Sequence, residues 1–179
     1  MPFDILHSDL WTSPVFSSSS HRYYVLFLYD YSDFLLTFLI SNKSQVFEKF
    51  TSLSNQICTQ FSQTIKCFQC DNGREYDNTQ FHKYCADNGL IFRFSCPHTS
   101  SQNGKAGRKI RTSNNMIRTL LAHSSVPPSF WHRALQMATY LLKILPRKNR
   151  SNHSFTQLLY HTKLNIMLLT ISHQGSISY

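Results

Sequence analysis

Short apolar runs separated by polar turns fill the first part of the chain and predict β-strands. One of them, Tyr23–Tyr29, is a continuous apolar and aromatic run, as in strands buried on both faces, and Leu35–Ile40 is its candidate partner. They are predicted to pair as a hairpin across the polar turn Asp30–Asp33. An earlier strand is predicted at Ile5–Leu6, where the polar residues that follow end in the carboxylate of Asp9. This part of the chain is therefore predicted to form a sheet.

The apolar period then changes from that of a strand to that of a helix. Apolar side chains recur with helical spacing from Val46 to Ile57, and Ser41 or Asn42 is available as the N-cap. The elements predicted next are a strand at Thr64–Cys70, a helix at Asn78–Asn88 that Gly89 stops, and a strand at Leu90–Phe94. Strands and helices therefore alternate here, as they do in α/β proteins.

Two long helices are predicted beyond Pro97. The first has basic residues on its other faces and an apolar face made of Ala106, Ile110, Ser113, Ile117 and Leu120 or Leu121. The second follows Pro127 and Pro128, ends at Pro146, and carries apolar residues at Trp131, Leu135, Ala138, Leu142 and Leu145. The predicted architecture is therefore a mixed α/β layer fold.

Composition fits one folded domain with a polyanionic partner. Of the 179 residues, 41% are apolar and 14% are aromatic, which excludes a disordered chain. All nine acidic residues precede Asn88, whereas twelve of the eighteen Lys and Arg residues follow it. This unbalanced positive charge favours a polyanion such as nucleic acid. Because we see no secretory signal and no membrane-spanning run, we expect an intracellular protein with no membrane partner.

Asp9 and Asp71 stand out by their position in this pattern. Each is predicted where an apolar strand runs out into a polar turn. Ligands bind at strand ends in open α/β sheets, and two carboxylates beside a basic helix suit a divalent metal held against phosphate. A solvated aspartate in a turn is the commoner alternative. The residues alone therefore give this site as a hypothesis.

Two other motifs have simpler interpretations. Cys67 and Cys70 form a C-x-x-C pair, but no second closely spaced pair accompanies them, so we interpret them as small buried side chains. Gly104 and Gly107 form a basic G-x-x-G that superficially resembles the nucleic-acid-binding loop of KH domains. A polar segment precedes it where such a domain would have a helix. Neither motif is expected to carry function.

Five blocks of sequence, in this order, closely resemble the integrase core of copia-type LTR retrotransposons. They are HSDLW (7–11), YYVLFLYDYS (23–32), CDNGREY (70–76), SCPHTSSQNGKAGRK (95–109) and SSVPPSFWHRAL (124–135). We expect a catalytic core over residues 1–160 and a divergent C-terminal tail over residues 161–179. The resemblance implies an RNase H-like fold, a central mixed five-stranded sheet flanked by helices. The activity it implies is that of the DDE polynucleotidyl transferases.

The resemblance also implies a set of three catalytic acids, of which this chain keeps two. Asp9 and Asp71 match the first two and would be ligands of Mg²⁺ or Mn²⁺. The third is a glutamate after about 35 intervening residues; residues 72–106 make up that interval, and Gly107 stands in the glutamate's position. Because glycine supplies no ligand and no acid follows Asp87, we expect weakened metal binding and impaired catalysis.

Two classes of function stay open. One is an active or weakly active nucleotidyl transferase in which another acid, such as Glu75, replaces the missing ligand. The other is a non-catalytic core that binds DNA, forms a homo-oligomer or assembles with intact integrase. The expected partner is DNA, both retroelement ends and target, and nuclear localisation follows from that role alone. The residues expected to contact DNA are His98, Gln102, Asn103, Lys105, Arg108, Lys109 and Arg111.

Overall fold

The computed structural model describes residues 4–95 and 104–144 of the chain. In chain order the elements are β1 (Ile5–Thr12), β2 (Tyr23–Tyr29), β3 (Leu35–Ile40), α1 (Gln45–Phe61), β4 (Cys67–Cys70), α2 (Thr79–Asp87), β5 (Ile91–Phe94), α3 (Gly104–Ser124), a 3₁₀ turn (Pro128–Phe130) and α4 (Trp131–Ile144). Helices and strands occur in the order that the apolar pattern predicts. The mixed α/β class is therefore confirmed.

The five strands of the described residues form one sheet in the order β3-β2-β1-β4-β5. β2 pairs antiparallel with both β1 and β3. On the other side of β1, β4 and then β5 extend the sheet in parallel. The predicted hairpin is confirmed, with Tyr23 opposite Ile40 and Leu28 opposite Leu35. The sheet is thus mixed and five-stranded, as the resemblance implied.

β2 is buried on both faces because helices cover both sides of the sheet. Phe27 belongs to a hydrophobic cluster that includes Phe50 of α1 and Phe81 of α2. Its neighbour Leu26 belongs to a second cluster, which includes Ile110 of α3 and residues of α4. Successive side chains of a strand point to opposite faces, so a strand between two helical layers has no polar face. This explains the unbroken apolar run in the sequence.

The apolar stripe of α1 is confirmed, because its buried residues are Val46, Phe50, Leu53 and Ile57. The predicted N-cap is wrong, since Ser44 occupies that position rather than Ser41 or Asn42. Both of these residues belong to a turn that the side chain of Gln45 closes. Its Oε1 accepts hydrogen bonds from the Ser41 N–H at 2.9 Å and the Asn42 N–H at 3.0 Å. The helix therefore begins later than its polar flank suggests.

Strand boundaries also differ from prediction, by one residue at β5, which begins at Ile91, and by more at β1 and β4. β1 does not end before Asp9 but continues to Thr12, because β2 pairs with it from Leu6 to Thr12. Asp9 therefore lies inside a strand. β4 begins at Cys67 rather than at Thr64, since its pairing with both parallel neighbours starts there.

α2 begins and ends close to where its turn residues predict. Asn78 is the N-cap, and its Oδ1 accepts a hydrogen bond from the Phe81 N–H at 3.1 Å. Gly89 follows the helix with a φ of +62°, a left-handed conformation that glycine adopts without steric cost. The helix Thr79–Asp87 is thus one residue shorter at each end than predicted.

α3 and α4 pack their apolar faces against the sheet. The buried residues on these faces include Ala106, Ile110, Ser113, Ile117, Trp131, Leu135 and Ala138, as predicted. Trp131 also donates a hydrogen bond from Nε1 to the Val15 carbonyl at 3.1 Å. Leu145, Pro146 and the tail at residues 161–179 lie outside the described residues. Over residues 4–95 and 104–144, no helix combines the length and the hydropathy that crossing a membrane requires.

Candidate metal and DNA site

Asp9 lies on β1, and Asp71 directly follows β4, the neighbouring parallel strand. The ladder between β1 and β4 pairs His7 with Gln69. Continued by two residues, the same register brings Asp9 opposite Asp71, which directly follows β4. Neighbouring strands are about 4.8 Å apart. The fold therefore brings together the two acids that the sequence singled out, and they are called the carboxylate pair below.

Burial and repulsion raise the pKa of both members of the carboxylate pair. For Asp9 burial is the larger cause and the charge of Asp71 the second, and the pKa rises to about 6. For Asp71 burial also raises the pKa most, and the charge of Glu75 adds to it. Hydrogen bonds from the Leu10 N–H to Asp9 Oδ1 at 2.8 Å, and from the Gly73 N–H to Asp71 Oδ1 at 3.3 Å, act in the opposite direction. A cation between the two carboxylates would relieve their repulsion.

Gly107 packs against Asp9. It lies in the first turn of α3, and a Cβ at this residue would stand 3.5 Å from Oδ2 of Asp9, an ordinary van der Waals distance. A longer side chain at this position would extend beside the carboxylate pair. Position 107 therefore borders the pair, and its glycine contributes no donor atom to it.

Lys105 ties the start of α3 to the sheet. Its Nζ donates hydrogen bonds to the carbonyl oxygen and Oδ1 of Asp30, at 2.8 and 2.9 Å, and lies 3.4 Å from Oδ1 of Asp33. The buried His7 of β1 contacts the same Asp30 oxygen through Nε2 at 2.8 Å. Burial would raise the pKa of Asp30, but the hydrogen bonds with Lys105 and His7 outweigh it, so the pKa is lowered. Lys105 is thus engaged within the protein.

The turn that carries Asp71 is anchored by a buried hydrogen bond. Ser8 Oγ and Tyr76 Oη are 2.8 Å apart, and both side chains are fully buried. The Tyr76 N–H donates to the carbonyl of Gly73 at 2.9 Å, which closes the turn after Asp71. Because Ser8 precedes Asp9 directly, this bond ties the backbone near one acid to the backbone near the other.

Glu75 lies beside the carboxylate pair but is turned toward a lysine. Its Oε1 is 3.3 Å from Nζ of Lys43, and its carboxyl group packs against Gly73, where a Cβ would approach it to 2.8 Å. In the part of the chain that the structure describes, no three His, Cys, Asp or Glu side chains are arranged to hold a metal ion. Glu75 is therefore not assembled with Asp9 and Asp71 as a third ligand.

The carboxylate pair suits one divalent cation. Mg²⁺ usually binds through one or two carboxylates and completes its shell with water and substrate phosphate. Asp9 and Asp71 supply such a pair, and their mutual repulsion favours a cation. A site for two ions needs further ligands, and no three-ligand group occurs among residues 4–95 and 104–144. Among the described residues, the donors beside Asp9 fit one ion and not two.

The residues predicted to contact DNA fall into three groups. Arg108 and Arg111 are exposed on α3, within about one turn of Gly107, and Lys109 is half-buried there. Lys105, by contrast, is bound to Asp30. The remaining three, His98, Gln102 and Asn103, lie outside the described residues. Among the described residues predicted to contact DNA, Arg108 and Arg111 are therefore the exposed cations closest in sequence to Gly107.

The two motifs set aside in the sequence have clear places in the fold. Cys67 and Cys70 are both buried in β4, and burial raises the pKa of both thiols, which disfavours the thiolate form that binds metals. Gly104 and Gly107 lie within α3 rather than in a loop. The G-x-x-G is therefore part of a helix and does not form a KH-type loop.

Sequence reasoning missed the contacts that hold this site together. Lys105 and Asp30 are 75 residues apart, and Ser8 and Tyr76 are 68 residues apart. Spacing carries no signal for such pairs. The one available hint is Ser8, a polar residue inside a predicted strand, because a buried hydroxyl needs a partner.

Comparison with known proteins identifies the family. Residues 1–100 match the family model described as the integrase core domain. The chain belongs to the integrase core domain family. The resemblance stated from the five sequence blocks is thereby confirmed.

Curated relatives of this integrase core are Pol polyproteins of plant transposons. It is 34% identical over 164 residues to the Retrovirus-related Pol polyprotein from transposon RE1 of Arabidopsis thaliana, a match that covers 92% of this chain and 11% of that protein. It is 31% identical over 144 residues to the corresponding polyprotein from transposon TNT 1-94 of Nicotiana tabacum, covering 80% of this chain and 11% of that protein. The chain thus spans about a tenth of the length of these relatives.

Two solved viral integrase structures share this fold. One is a simian T-cell lymphotropic virus intasome in complex with PP2A regulatory subunit B56 gamma, with a TM-score of 0.68 at 16% identity over 88% of this chain and 54% of the other. Another is the HTLV-2 integrase catalytic core domain in complex with magnesium, with a TM-score of 0.62 at 16% identity over 88% of this chain and 96% of the other. The RNase H-like fold expected from the sequence is confirmed.

Proposed function

We propose that this chain is a retrotransposon integrase core that binds DNA and one divalent cation, and that Gly107 impairs its polynucleotidyl transfer. Family membership and the Pol polyprotein relatives support the integrase function. The observation that carries the impairment is the distance of 3.5 Å between a Cβ at Gly107 and Oδ2 of Asp9. An acidic side chain at this position would add a third carboxylate to the pair, whereas glycine has no side chain and adds no donor.

Asp9 and Asp71 would hold the cation. The HTLV-2 core, which shares the fold, is in complex with magnesium, and this supports Mg²⁺ as the ion. When bound, such an ion polarises a phosphoryl oxygen and lowers the pKa of the attacking hydroxyl or water. The protein contributes the alignment of the carboxylates, through the register of β1 with β4 and the buried bond between Ser8 and Tyr76.

The exposed arginines of α3 would bind the DNA backbone. Arg108 and Arg111 lie within about one turn of Gly107, so phosphates bound to them would lie near the carboxylate pair. Such contacts position DNA without reading its sequence. The reaction implied by the family joins a 3′ hydroxyl of element DNA to a target phosphorus, and the displaced 3′ oxygen leaves as a hydroxyl. Nuclear localisation follows from this role and stays a prediction.

A non-catalytic role in DNA binding or integrase assembly is the second candidate. The same glycine favours it, because the carboxylate pair is one donor short while the arginines of α3 remain exposed. A structural neighbour forms part of an intasome, which supports assembly with further integrase copies. The two candidates differ in whether this chain turns over any substrate.

A disintegration assay on fluorescent branched DNA separates the two candidates. The chain is compared with Gly107→Glu and with Gly107→Gln, which matches the glutamate in size but lacks its charge, in Mg²⁺ and in Mn²⁺. We expect the natural chain and Gly107→Gln to show little or no product and Gly107→Glu to gain at least tenfold. Full activity of the natural chain would refute the impairment. DNA binding without product in all three would favour the non-catalytic role, and no DNA binding at all would refute both.

A further inference from the structure

Lys43 brings a cation to the carboxylate pair from an element other than α3. It lies in the turn between β3 and α1, and its Nζ is 3.3 Å from Oε1 of Glu75. Its positive charge also acts to lower the pKa of Asp71, which means that it favours the ionised carboxylate. Lys43 therefore belongs to the electrostatic surroundings of the pair, although it is absent from the basic residues that the sequence singled out.

The backbone that carries Lys43 is fixed, while the end of its side chain is open to solvent. The Gln45 side chain closes the turn by accepting hydrogen bonds from the Ser41 and Asn42 N–H groups at 2.9 and 3.0 Å. The Lys43 side chain is 45% exposed, and its Nζ lies 5.9 Å from the ring centroid of Tyr23. A ligand bound on this side of the protein can therefore reach the Lys43 ammonium group, which a fixed turn holds in place.

Glu75 holds this cation in a position that a phosphate would compete for. The Glu75 side chain is only 10% exposed, and its charge acts on two further carboxylates, Asp9 and Asp71. A DNA strand bound at the carboxylate pair carries a charge at every nucleotide, so Glu75 would repel its phosphates and Lys43 would attract them. A phosphate oxygen that reaches Nζ could take the place of Glu75 Oε1 as its hydrogen-bond acceptor.

We propose that Lys43 is a DNA phosphate contact of this site, and that it exchanges Glu75 for a phosphate oxygen when a strand binds beside Asp71. The inference rests on the proposed function, because it requires that the chain binds DNA. It adds a contact outside α3, so that bound DNA touches cations on two elements that approach the carboxylate pair. Glu75 then acts as an internal competitor that keeps Lys43 in place in the absence of DNA.

Salt-dependent binding of labelled branched DNA tests the contact directly. Fluorescence anisotropy of the full chain, without divalent metal, is measured between 50 and 200 mM salt. We expect Lys43→Gln to weaken binding about three- to tenfold and to reduce the slope of log K against log salt by about one, since one phosphate contact is lost. Lys43→Arg should restore the slope. The matched control is Lys49→Gln on α1, whose Nζ lies 3.0 Å from Oε1 of Glu48, and it should change affinity less than twofold.

The exchange itself is tested by combining Lys43→Gln with Glu75→Gln. Glu75→Gln should tighten DNA binding when Lys43 is present and have a smaller effect when Lys43 is replaced, because the competition then no longer exists. Strictly additive effects would refute the exchange, and an unchanged slope for Lys43→Gln would refute the contact. If the natural chain binds no DNA, the proposed function fails as well, which distinguishes that failure from the loss of Lys43 alone. Thermal unfolding of each variant excludes misfolding as the cause.

Discussion

Gly107 of α3 and Asp9 of β1 face each other so closely that a Cβ at residue 107 would lie 3.5 Å from Oδ2 of Asp9. The helix thus approaches the carboxylate pair near enough for the residue type at position 107 to decide how many donors the site contains. At the same time a Cβ at residue 107 would make only an ordinary contact with Asp9. The absent donor is therefore a property of the residue type at this position.

Gly107→Ala should stabilise the folded chain. Glycine in a helix is less stable than alanine by about 0.5–1 kcal/mol, because more backbone entropy is lost on folding, and the new methyl group would make only an ordinary contact. Urea denaturation measures the gain. Gly104→Ala is the control, since its Cβ would press on the Arg108 guanidinium at 3.1 Å at the very start of α3. A larger gain at residue 104 than at 107 would contradict this account.

Lys105→Gln should loosen the start of α3. It removes the charged hydrogen bonds to Asp30 and leaves that carboxylate without its cation, at a cost of about 1 kcal/mol because the group is partly exposed. Hydrogen exchange of the amides in residues 104–110 should accelerate. Lys66→Gln, which removes the more exposed ion pair with Asp4, should cost less than half as much. If both variants lowered the free energy of unfolding equally, the contact of Lys105 with Asp30 would have no special role.

The buried bond between Ser8 and Tyr76 should show strong coupling in a double-mutant cycle. Tyr76→Phe leaves the Ser8 hydroxyl buried without its partner, and Ser8→Ala does the same to the tyrosine, each costing about 1–3 kcal/mol in the free energy of unfolding. The double variant should cost clearly less than the two single costs together. Independent, additive costs would mean that the two hydroxyl groups do not stabilise the turn through each other.

Lys143 should make stability rise with pH above about 8. Its side chain is 9% exposed, its Nζ lies 4.8 Å from the ring centroid of Phe34, and burial lowers its pKa to about 8. Between this value and the ordinary pKa of lysine, the unfolded chain binds the proton more tightly than the folded chain, so the free energy of unfolding increases with pH. Below pH 8 the buried charge destabilises the fold.

Lys143→Met should therefore stabilise the protein at pH 7, by an amount on the order of 2 kcal/mol, and the gain should shrink as the pH rises above 8. The free energy of unfolding of the variant and of the natural chain is measured from pH 6.5 to 9.5. The difference between the two values does not contain the effect of the buried thiols, because both chains carry them. The control variant is Lys83→Met at an exposed lysine, and its difference from the natural chain in the free energy of unfolding is expected not to change with pH. A gain that stays constant over this range would rule out titration of Lys143 as the cause.

The layers of this fold could be predicted from local sequence patterns alone. Short apolar runs predicted β2 and β3, and the helical stripe from Val46 to Ile57 predicted α1, because burial of one or both faces gives each kind of element its own apolar pattern. The two candidate acids could also be found from the sequence, since Asp9 and Asp71 were predicted near the ends of apolar strands and stand within recognisable sequence blocks. Local periodicity and short motifs carry this information within a few neighbouring residues.

The assembly of the candidate site, by contrast, depends on contacts between residues far apart in the chain. The register of β1 with β4 placed Asp9 opposite Asp71, and the packing of α3 placed Gly107 against Asp9. The tertiary structure also bound Lys105 within the protein and brought Lys43 to Glu75. These partners are separated by tens of residues, and their contacts depend on strand register and helix packing, which no local pattern of polar and apolar residues encodes.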